Sequence, residues 1–184
     1  MAHSLFKRSP QADSPATVSS GGPIAGDDVR RAAMGASLLG MASMIAVALY
    51  QIGAVRHLPD PPVDGFDADY VNDPERATIW GVPDGFCKLT AHALMLGLTR
   101  AVTAEDARRQ PWLPLFAAGF ALGQAIVAVR GLRRTFERDG AWCGYRLADA
   151  VAHVATALLL LPAALRTLCR RMRCRFGGGP SARA

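Results

Sequence analysis

A long uncharged stretch near the N-terminus limits what this chain can fold into. The segment from Ala32 to Val55, AAMGASLLGMASMIAVALYQIGAV, contains no charged residue. As a helix it is about 36 Å long, whereas the hydrocarbon core of a bilayer is about 30 Å thick. It begins too far from the N-terminus to resemble a short signal peptide, which favours an uncleaved membrane anchor. We therefore expect an integral membrane protein.

Three further apolar blocks indicate that the chain crosses the membrane several times. The block from Pro111 to Val129 is uncharged, whereas the blocks from Gly85 to Ala104 and from Leu147 to Leu165 carry a few polar residues. A length of 184 residues suits one domain. We predict an all-α integral membrane protein, with a four-transmembrane-helix bundle over residues 27–168, helices near 32–55, 85–104, 111–130 and 146–166, and a long external loop at 56–84.

The net charge of +6 is distributed as in a membrane protein rather than as in a nucleic-acid-binding one. Arginines precede the first helix, separate the second from the third and follow the fourth. The positive-inside rule assigns these flanks to the cytoplasm. Acidic residues dominate the loop at 56–84, which is therefore expected in the periplasm. We expect a multi-pass protein of the bacterial inner membrane with both termini in the cytoplasm and no nucleic-acid partner.

One segment departs from this charge pattern. Residues 130–146 are expected outside the cytoplasm, yet they are rich in arginine. Contact of Arg133, Arg134 and Arg138 with lipid headgroups or with a partner would explain this, and so would a plain solvated surface.

The two ends of the chain differ in composition from the helical blocks. Residues 1–26 are rich in Ser, Pro, Gly and Ala, which predicts a disordered cytoplasmic tail. Residues 169–184 predict a basic cytoplasmic tail. Cys169 and Cys174 lie there, in a reducing compartment, without the further ligands that zinc needs. We expect both thiols to be inert.

Small residues recur at four-residue spacing in two of the predicted helices. Ala36 and Gly40 lie on the first, and Gly119 and Gly123 form a GxxxG motif on the third. This spacing lets two helix backbones approach closely. The four residues are therefore candidates for helix packing, either within this bundle or against another subunit.

Several short segments, in this order, resemble bacterial members of the vitamin K epoxide reductase family. The resemblance covers roughly residues 45–165 and includes the predicted four-helix topology. The matching segments are RHLPDPP (residues 56–62), FDAD (66–69), GVPDG (81–85), ARRQPWLPL (107–115) and AWC (141–143).

The resemblance implies a four-helix bundle that encloses a quinone near the outer membrane face. In the family a Cys-x-x-Cys motif passes electrons from protein thiols to the quinone, often through a second cysteine pair in the outer loop. Here Gly140 stands at the first cysteine position and only Cys143 remains, while the loop from Arg56 to Gly85 contains no cysteine. Because thiol–disulfide exchange needs paired thiols, the family's reaction cannot run within this chain.

Cys87 is the remaining cysteine, at the outer end of the second predicted helix. Cys143 lies at the outer end of the fourth. A disulfide between them and two separate buried thiols are both compatible with these positions, and geometry decides between them.

Two pairs of polar residues lie inside the predicted helices. Lys88 and His92 are four residues apart, as are Asp149 and His153, so each pair shares one helix face. If both faces look inward, they form a polar cluster in the outer half of the bundle. It could be a structural hydrogen-bonded network, a retained quinone or lipid-headgroup site, or a b-type haem site between the two histidines. We expect no metal ion otherwise, and we find no phosphate-binding loop, HExxH or GxSxG motif.

These observations favour a non-catalytic relative of the family. We expect an accessory or structural subunit of a larger membrane complex, of an electron-transfer, photosynthetic or respiratory kind, in contact with membrane lipids and other integral subunits. One alternative is a quinone-linked thiol–disulfide oxidoreductase in which Cys143 works with a partner's thiol. The other is a haem-binding membrane subunit that uses His92 and His153.

Overall fold

The computed structural model of the chain describes residues 26–102 and 109–176, with side chains as far as residue 173. Residues 1–25 of the predicted N-terminal tail, residues 177–184 of the predicted C-terminal tail and the Cys174 side chain lie outside the described residues. The described chain is mostly helical, and four of its helices have 18 residues or more. Its elements are α1 (Asp27–Gln51), α2 (Ala68–Val71), β1 (Thr78–Ile79), β2 (Val82–Pro83), α3 (Asp84–Ala101), α4 (Leu113–Asp139) and α5 (Gly144–Phe176).

Three of these helices are long and apolar enough to cross a membrane. They are α1, α4 and the part of α5 that runs from residue 144 to 173. The expectation of an all-α membrane protein is confirmed to this extent. Within the described residues, α3 does not reach that apolarity because charged side chains interrupt it.

The helix ends differ from those predicted from hydropathy. The third predicted helix was expected to end near residue 130 and the fourth near 166, yet α4 continues to Asp139 and α5 to Phe176. Hydropathy marks where a chain leaves the bilayer, whereas a helix ends at a residue that breaks it. In α4 that residue is Gly140, whose positive φ of 67° favours glycine. An ion pair between residues one helical turn apart stabilises the polar end of α4. Arg133 Nε lies 2.6 Å from Glu137 Oε1.

The four long helices form a bundle in which α1 packs against both α3 and α5, and α4 packs against α5. Alanine dominates the core, which lets the helices approach closely. One core cluster includes Ala33, Met95 and Leu160, and the other includes Met44 and Cys143. The second cluster also contains apolar side chains from residues 58–71, so this connection covers one end of the bundle.

The segment between α1 and α3 is held by its own acidic side chains. The Asp69 carboxylate accepts a hydrogen bond from the Leu58 backbone at 2.8 Å, and the Asp60 carboxylate accepts one from Ala68 at 2.8 Å. His57 pairs with the other oxygen of Asp69. This hydrogen bond to Asp69 raises the pKa of His57 above its usual 6.5. The acidic side chains of this segment therefore help to hold its backbone in place.

The same segment is pinned to the turn between α4 and α5. The Trp142 backbone donates a hydrogen bond to the Gly65 carbonyl at 2.7 Å and accepts one from Asp67 at 3.0 Å. Trp142 also stacks on Phe136 near the end of α4, with ring centroids 4.4 Å apart. The connection is therefore an ordered cap on the bundle.

The small residues predicted for helix packing have different surroundings. Gly40 is buried, and a Cβ atom there would lie 2.2 Å from the His92 ring. Ala36 is half-buried. Gly119 and Gly123 are exposed, and nothing in the described residues lies within 4 Å of a Cβ built on either. The interpretation that this GxxxG motif packs inside the bundle is therefore wrong for the described chain, because α4 turns that face outward.

Candidate functional site

The polar residues singled out in α3 and α5 meet around one carboxylate. The Oδ1 atom of Asp149 lies 2.9 Å from His92 Nε2 and 3.4 Å from His153 Nε2. Its Oδ2 atom lies 3.5 Å from Lys88 Nζ. Asp149 and His92 are each 1% exposed and His153 is 2% exposed. Lys88 is half-buried at the edge of these three buried residues, and we call the four residues the Asp149 cluster.

Helix geometry explains how the Asp149 cluster forms. Residues four apart lie one above the other on a helix, so Lys88 and His92 point the same way from α3, as do Asp149 and His153 from α5. The two histidine rings stack with centroids 4.0 Å apart and planes within 5° of parallel. Gly40 of α1 completes the enclosure, because its missing side chain leaves the space that the His92 ring fills.

Further polar residues, which were not predicted as site residues from the sequence, connect the cluster to the covered end of the bundle. Lys88 Nζ lies 3.6 Å from Asp84 Oδ2, and Arg146 lies 2.8 Å from the same oxygen. Arg146 also donates to Asn72 Oδ1 at 2.9 Å. The Asn72 amide in turn donates to the sulfur of Cys143 at 3.1 Å. A chain of polar contacts thus links the Cys143 thiol to the stacked histidines.

A signal for two of these missed residues is present in the sequence. Asp84 precedes Lys88 by four residues, and Arg146 precedes Asp149 by three, so each shares a helix face with a residue already singled out. Asp84 was instead assigned to the acidic loop, and Arg146 to the arginine-rich segment. Asn72 offers no such signal, because it reaches the site from the connection between α1 and α3.

The start of α3 is locked onto the end of α1. The Gln51 side chain donates to Asp84 Oδ1 at 3.0 Å and accepts from the Gly85 backbone at 3.0 Å. A Cβ atom at Gly85 would lie 2.6 Å from the Gln51 oxygen. Asp84 is therefore held in place on both of its oxygens.

The charges of this region balance. Two carboxylates, Asp84 and Asp149, face two cations, Lys88 and Arg146. Charged groups inside a membrane protein are costly unless they are paired, and removing one partner of a buried pair leaves an uncompensated charge. The arrangement satisfies this requirement without an added ion.

The Asp149 cluster offers the donor atoms of a metal site, but their orientation does not suit one. Ligand atoms of His92, Asp149 and His153 lie within 4.8 Å of one another. The two imidazole planes are nearly parallel, so their lone pairs run side by side rather than converging on one ion. Rings stacked at 4.0 Å likewise leave no room for a porphyrin between them.

The grooves of the described chain lie away from the Asp149 cluster. Two grooves, of about 390 and 400 Å³, lie on the outer surface of α4 and α5 and are lined almost wholly by apolar side chains. None of the four cluster residues lines either groove. The hydrogen bond and ion pairs of the cluster are those expected of a structural network, the first of the three interpretations.

Two buried polar atoms of this region have no hydrogen-bond partner in the described residues. They are His92 Nδ1 and Ser37 Oγ. Ser37 precedes Gly40 by three residues on the buried face of α1. An unsatisfied buried polar atom destabilises a protein by about 1–3 kcal/mol. The network is therefore not fully satisfied on the α1 side.

Cys143 and Cys87 are both free thiols, so the disulfide left open by the sequence is absent and the two thiols are separate. Cys143 is 1% exposed, while Cys87 is half-buried. The sulfur atom of Cys143 is therefore covered in the described chain. Cys143 acts here as a small packed side chain that accepts a hydrogen bond from Asn72.

No family model matches the chain, and neither a curated protein nor a solved structure matches it.

Proposed function

We propose that this chain is a non-catalytic, four-helix protein of the bacterial inner membrane that serves as an accessory subunit of a larger membrane complex. The observation that carries the proposal is the outward-facing pair Gly119 and Gly123 on α4. Glycine in a helix interior destabilises the helix by about 1 kcal/mol relative to alanine. Close packing of a second helix backbone against Gly119 and Gly123 would explain why both positions are glycine.

The proposal treats α3 as the fourth membrane-spanning helix. Its 18 residues extend about 27 Å. Its charged and polar side chains near the start turn inward, since His92 is buried and Lys88 pairs with two carboxylates. With four spans and arginine-rich flanks at residues 30–31 and 166–173, both termini are cytoplasmic and residues 52–83 are periplasmic.

The proposed absence of catalysis is supported by the surroundings of Cys143. The resemblance to the vitamin K epoxide reductase family supports a common bundle, but the chemistry of that family needs two thiols that exchange. Cys143 has Asn72 beside its sulfur and is covered by the segment between α1 and α3. Cys87, in the first turn of α3, forms no disulfide with Cys143. These contacts favour neither the oxidoreductase alternative nor, given the stacked histidines, the haem alternative.

The proposal is tested by the size of the native particle. Membranes that contain the full chain are solubilised in a mild detergent and the particle mass is measured. We expect the chain in a particle larger than its own monomer. Gly119→Leu with Gly123→Leu should release it as a monomer, because two side chains block the backbone approach.

Gly97→Leu is the matched control. Gly97 is also an exposed helical glycine with no described atom within 4 Å of its Cβ position, but it lies on α3. The control should keep the larger particle. A wild-type chain that is monomeric in mild detergent would refute the subunit role.

A further inference from the structure

The two grooves on the outer surface of α4 and α5 form one continuous apolar channel. They share Val129, Val154 and Leu158. Arg130 lines the groove together with Val154, so the part of the groove on the hydrocarbon side of this arginine runs from Val154 to Leu161, about 11 Å along α5. A narrow apolar channel of this length on a membrane-facing surface suits the part of an acyl chain next to the headgroup rather than a compact polar ligand.

Two unpaired arginines lie at one side of this channel. Arg130 lines the groove directly, and Arg134 follows one turn later on the same face of α4. Neither is paired with a carboxylate in the described residues. The neighbouring Arg133 and Arg138 differ, because they pair with Glu137 and Asp139. The free positive charge is thus concentrated where the channel passes Arg130.

The depth of Arg130 matches that of a lipid phosphate. Arg130 lies 18 residues after Trp112, which corresponds to about 27 Å along α4. Tryptophan is enriched at membrane interfaces, and the hydrocarbon core is about 30 Å thick. With Trp112 at one interface, Arg130 therefore lies at the opposite one and can extend its guanidinium to the headgroup layer.

We propose that this channel and the two arginines bind one anionic phospholipid, whose acyl chain lies between α4 and α5 and whose phosphate meets Arg130 and Arg134. The charge complementarity selects an anionic lipid over a zwitterionic one. The inference does not depend on the subunit role, since the channel lies beside the Gly119–Gly123 face and neither glycine lines it. Lipid binding would also explain why Arg130 and Arg134 lie in a segment that departs from the positive-inside pattern.

The test compares phosphatidylglycerol with phosphatidylcholine of the same acyl chains. The purified full chain is titrated with each lipid in detergent, and bound lipid is counted by native mass spectrometry. One arginine near a membrane surface contributes about fivefold in affinity for an anionic lipid, so the pair predicts a preference of about 25-fold for phosphatidylglycerol. One lipid should bind per chain.

Two variants separate the charge from the channel. Arg130→Gln with Arg134→Gln should remove most of the preference, whereas Arg166→Gln with Arg170→Gln, at the other end of the membrane, should leave it unchanged. Ala155→Phe places a ring in the channel and should weaken both lipids while the preference stays, with the helix content checked by circular dichroism.

Three outcomes would overturn the proposal. The first is equal binding of the two lipids by the wild-type chain. The second is an equal loss of preference in both arginine pairs, which indicates general surface charge. The third is unchanged binding of both lipids by a folded Ala155→Phe chain, which indicates that the channel holds no acyl chain.

Discussion

Gly40→Ala is expected to destabilise the protein far more than an ordinary glycine substitution. A Cβ atom at this position would lie 2.2 Å from His92 Cε1, 2.4 Å from His92 Nε2 and 2.9 Å from the Ala152 methyl carbon. The His92 ring cannot move aside easily, because it is stacked on His153 and bonded to Asp149. Relief of the clash therefore breaks the Asp149 cluster.

The magnitude follows from three contributions. Forcing an extra carbon into a packed core destabilises by about 1–3 kcal/mol. Loss of the 2.9 Å hydrogen bond between His92 and the Asp149 carboxylate adds about 1.5–3 kcal/mol. The helix propensity of alanine offsets about 0.5–1 kcal/mol of this. The net expected loss for Gly40→Ala is about 2–5 kcal/mol.

The assay is equilibrium unfolding in detergent micelles, followed by tryptophan fluorescence. Gly97→Ala is the control, because this exposed helical glycine has open space around it and should gain about 0.5–1 kcal/mol. The double variant with His92→Ala isolates the clash, since removing the ring should abolish most of the cost of Gly40→Ala. A Gly40→Ala chain as stable as the wild type, or an equal cost with and without the ring, would refute the packing described here.

Four further predictions concern other parts of the structure. In the folded protein Cys143 should resist a maleimide that labels the exposed Cys169, and labelling of both at the same rate would contradict its burial. Ser37→Ala should stabilise by about 1 kcal/mol in thermal unfolding because it removes an unsatisfied buried hydroxyl; a loss would reveal a missing hydrogen-bond partner. By NMR, the pKa of His57 should lie above 6.5, and Asp69→Asn should lower this pKa. The charged His57–Asp69 pair is lost as the pH rises through the raised pKa, so proteolysis of the loop should increase over that pH range. A strong chelator should leave the melting temperature unchanged, and a drop of several degrees would point to an ion in the Asp149 cluster.

The part of the site that could be predicted from sequence is the part that lies on single helices. Spacings of four residues place Lys88 with His92 and Asp149 with His153 whatever the helices pack against. Which helices are neighbours is not contained in such a spacing. The contact of Arg146 with Asn72 joins residues 74 apart in the chain and depends on how the connection between α1 and α3 folds over the bundle.

Small residues were the least predictable, because the same motif serves opposite purposes. Gly40 is buried against a histidine ring, while Gly119 and Gly123 face outward. The four-residue spacing of small residues indicates that another group can pack closely against the helix backbone. It does not indicate whether that group is a side chain of the same chain or a helix of another subunit. The helix ends were missed for a related reason, since the polar ends of α4 and α5 continue beyond the apolar residues that hydropathy detects.

Photo-crosslinking from the glycine face of α4 tests most directly whether this chain is a subunit of a larger complex. Phe116 is 53% exposed and lies one turn before Gly119, so the larger benzoylphenylalanine can extend outward from this position. The same replacement at Phe86 of α3, which is 37% exposed, is the control. The subunit role predicts one discrete protein adduct in native membranes from position 116 and none from position 86. Irradiation at position 116 that yields no protein adduct would contradict it.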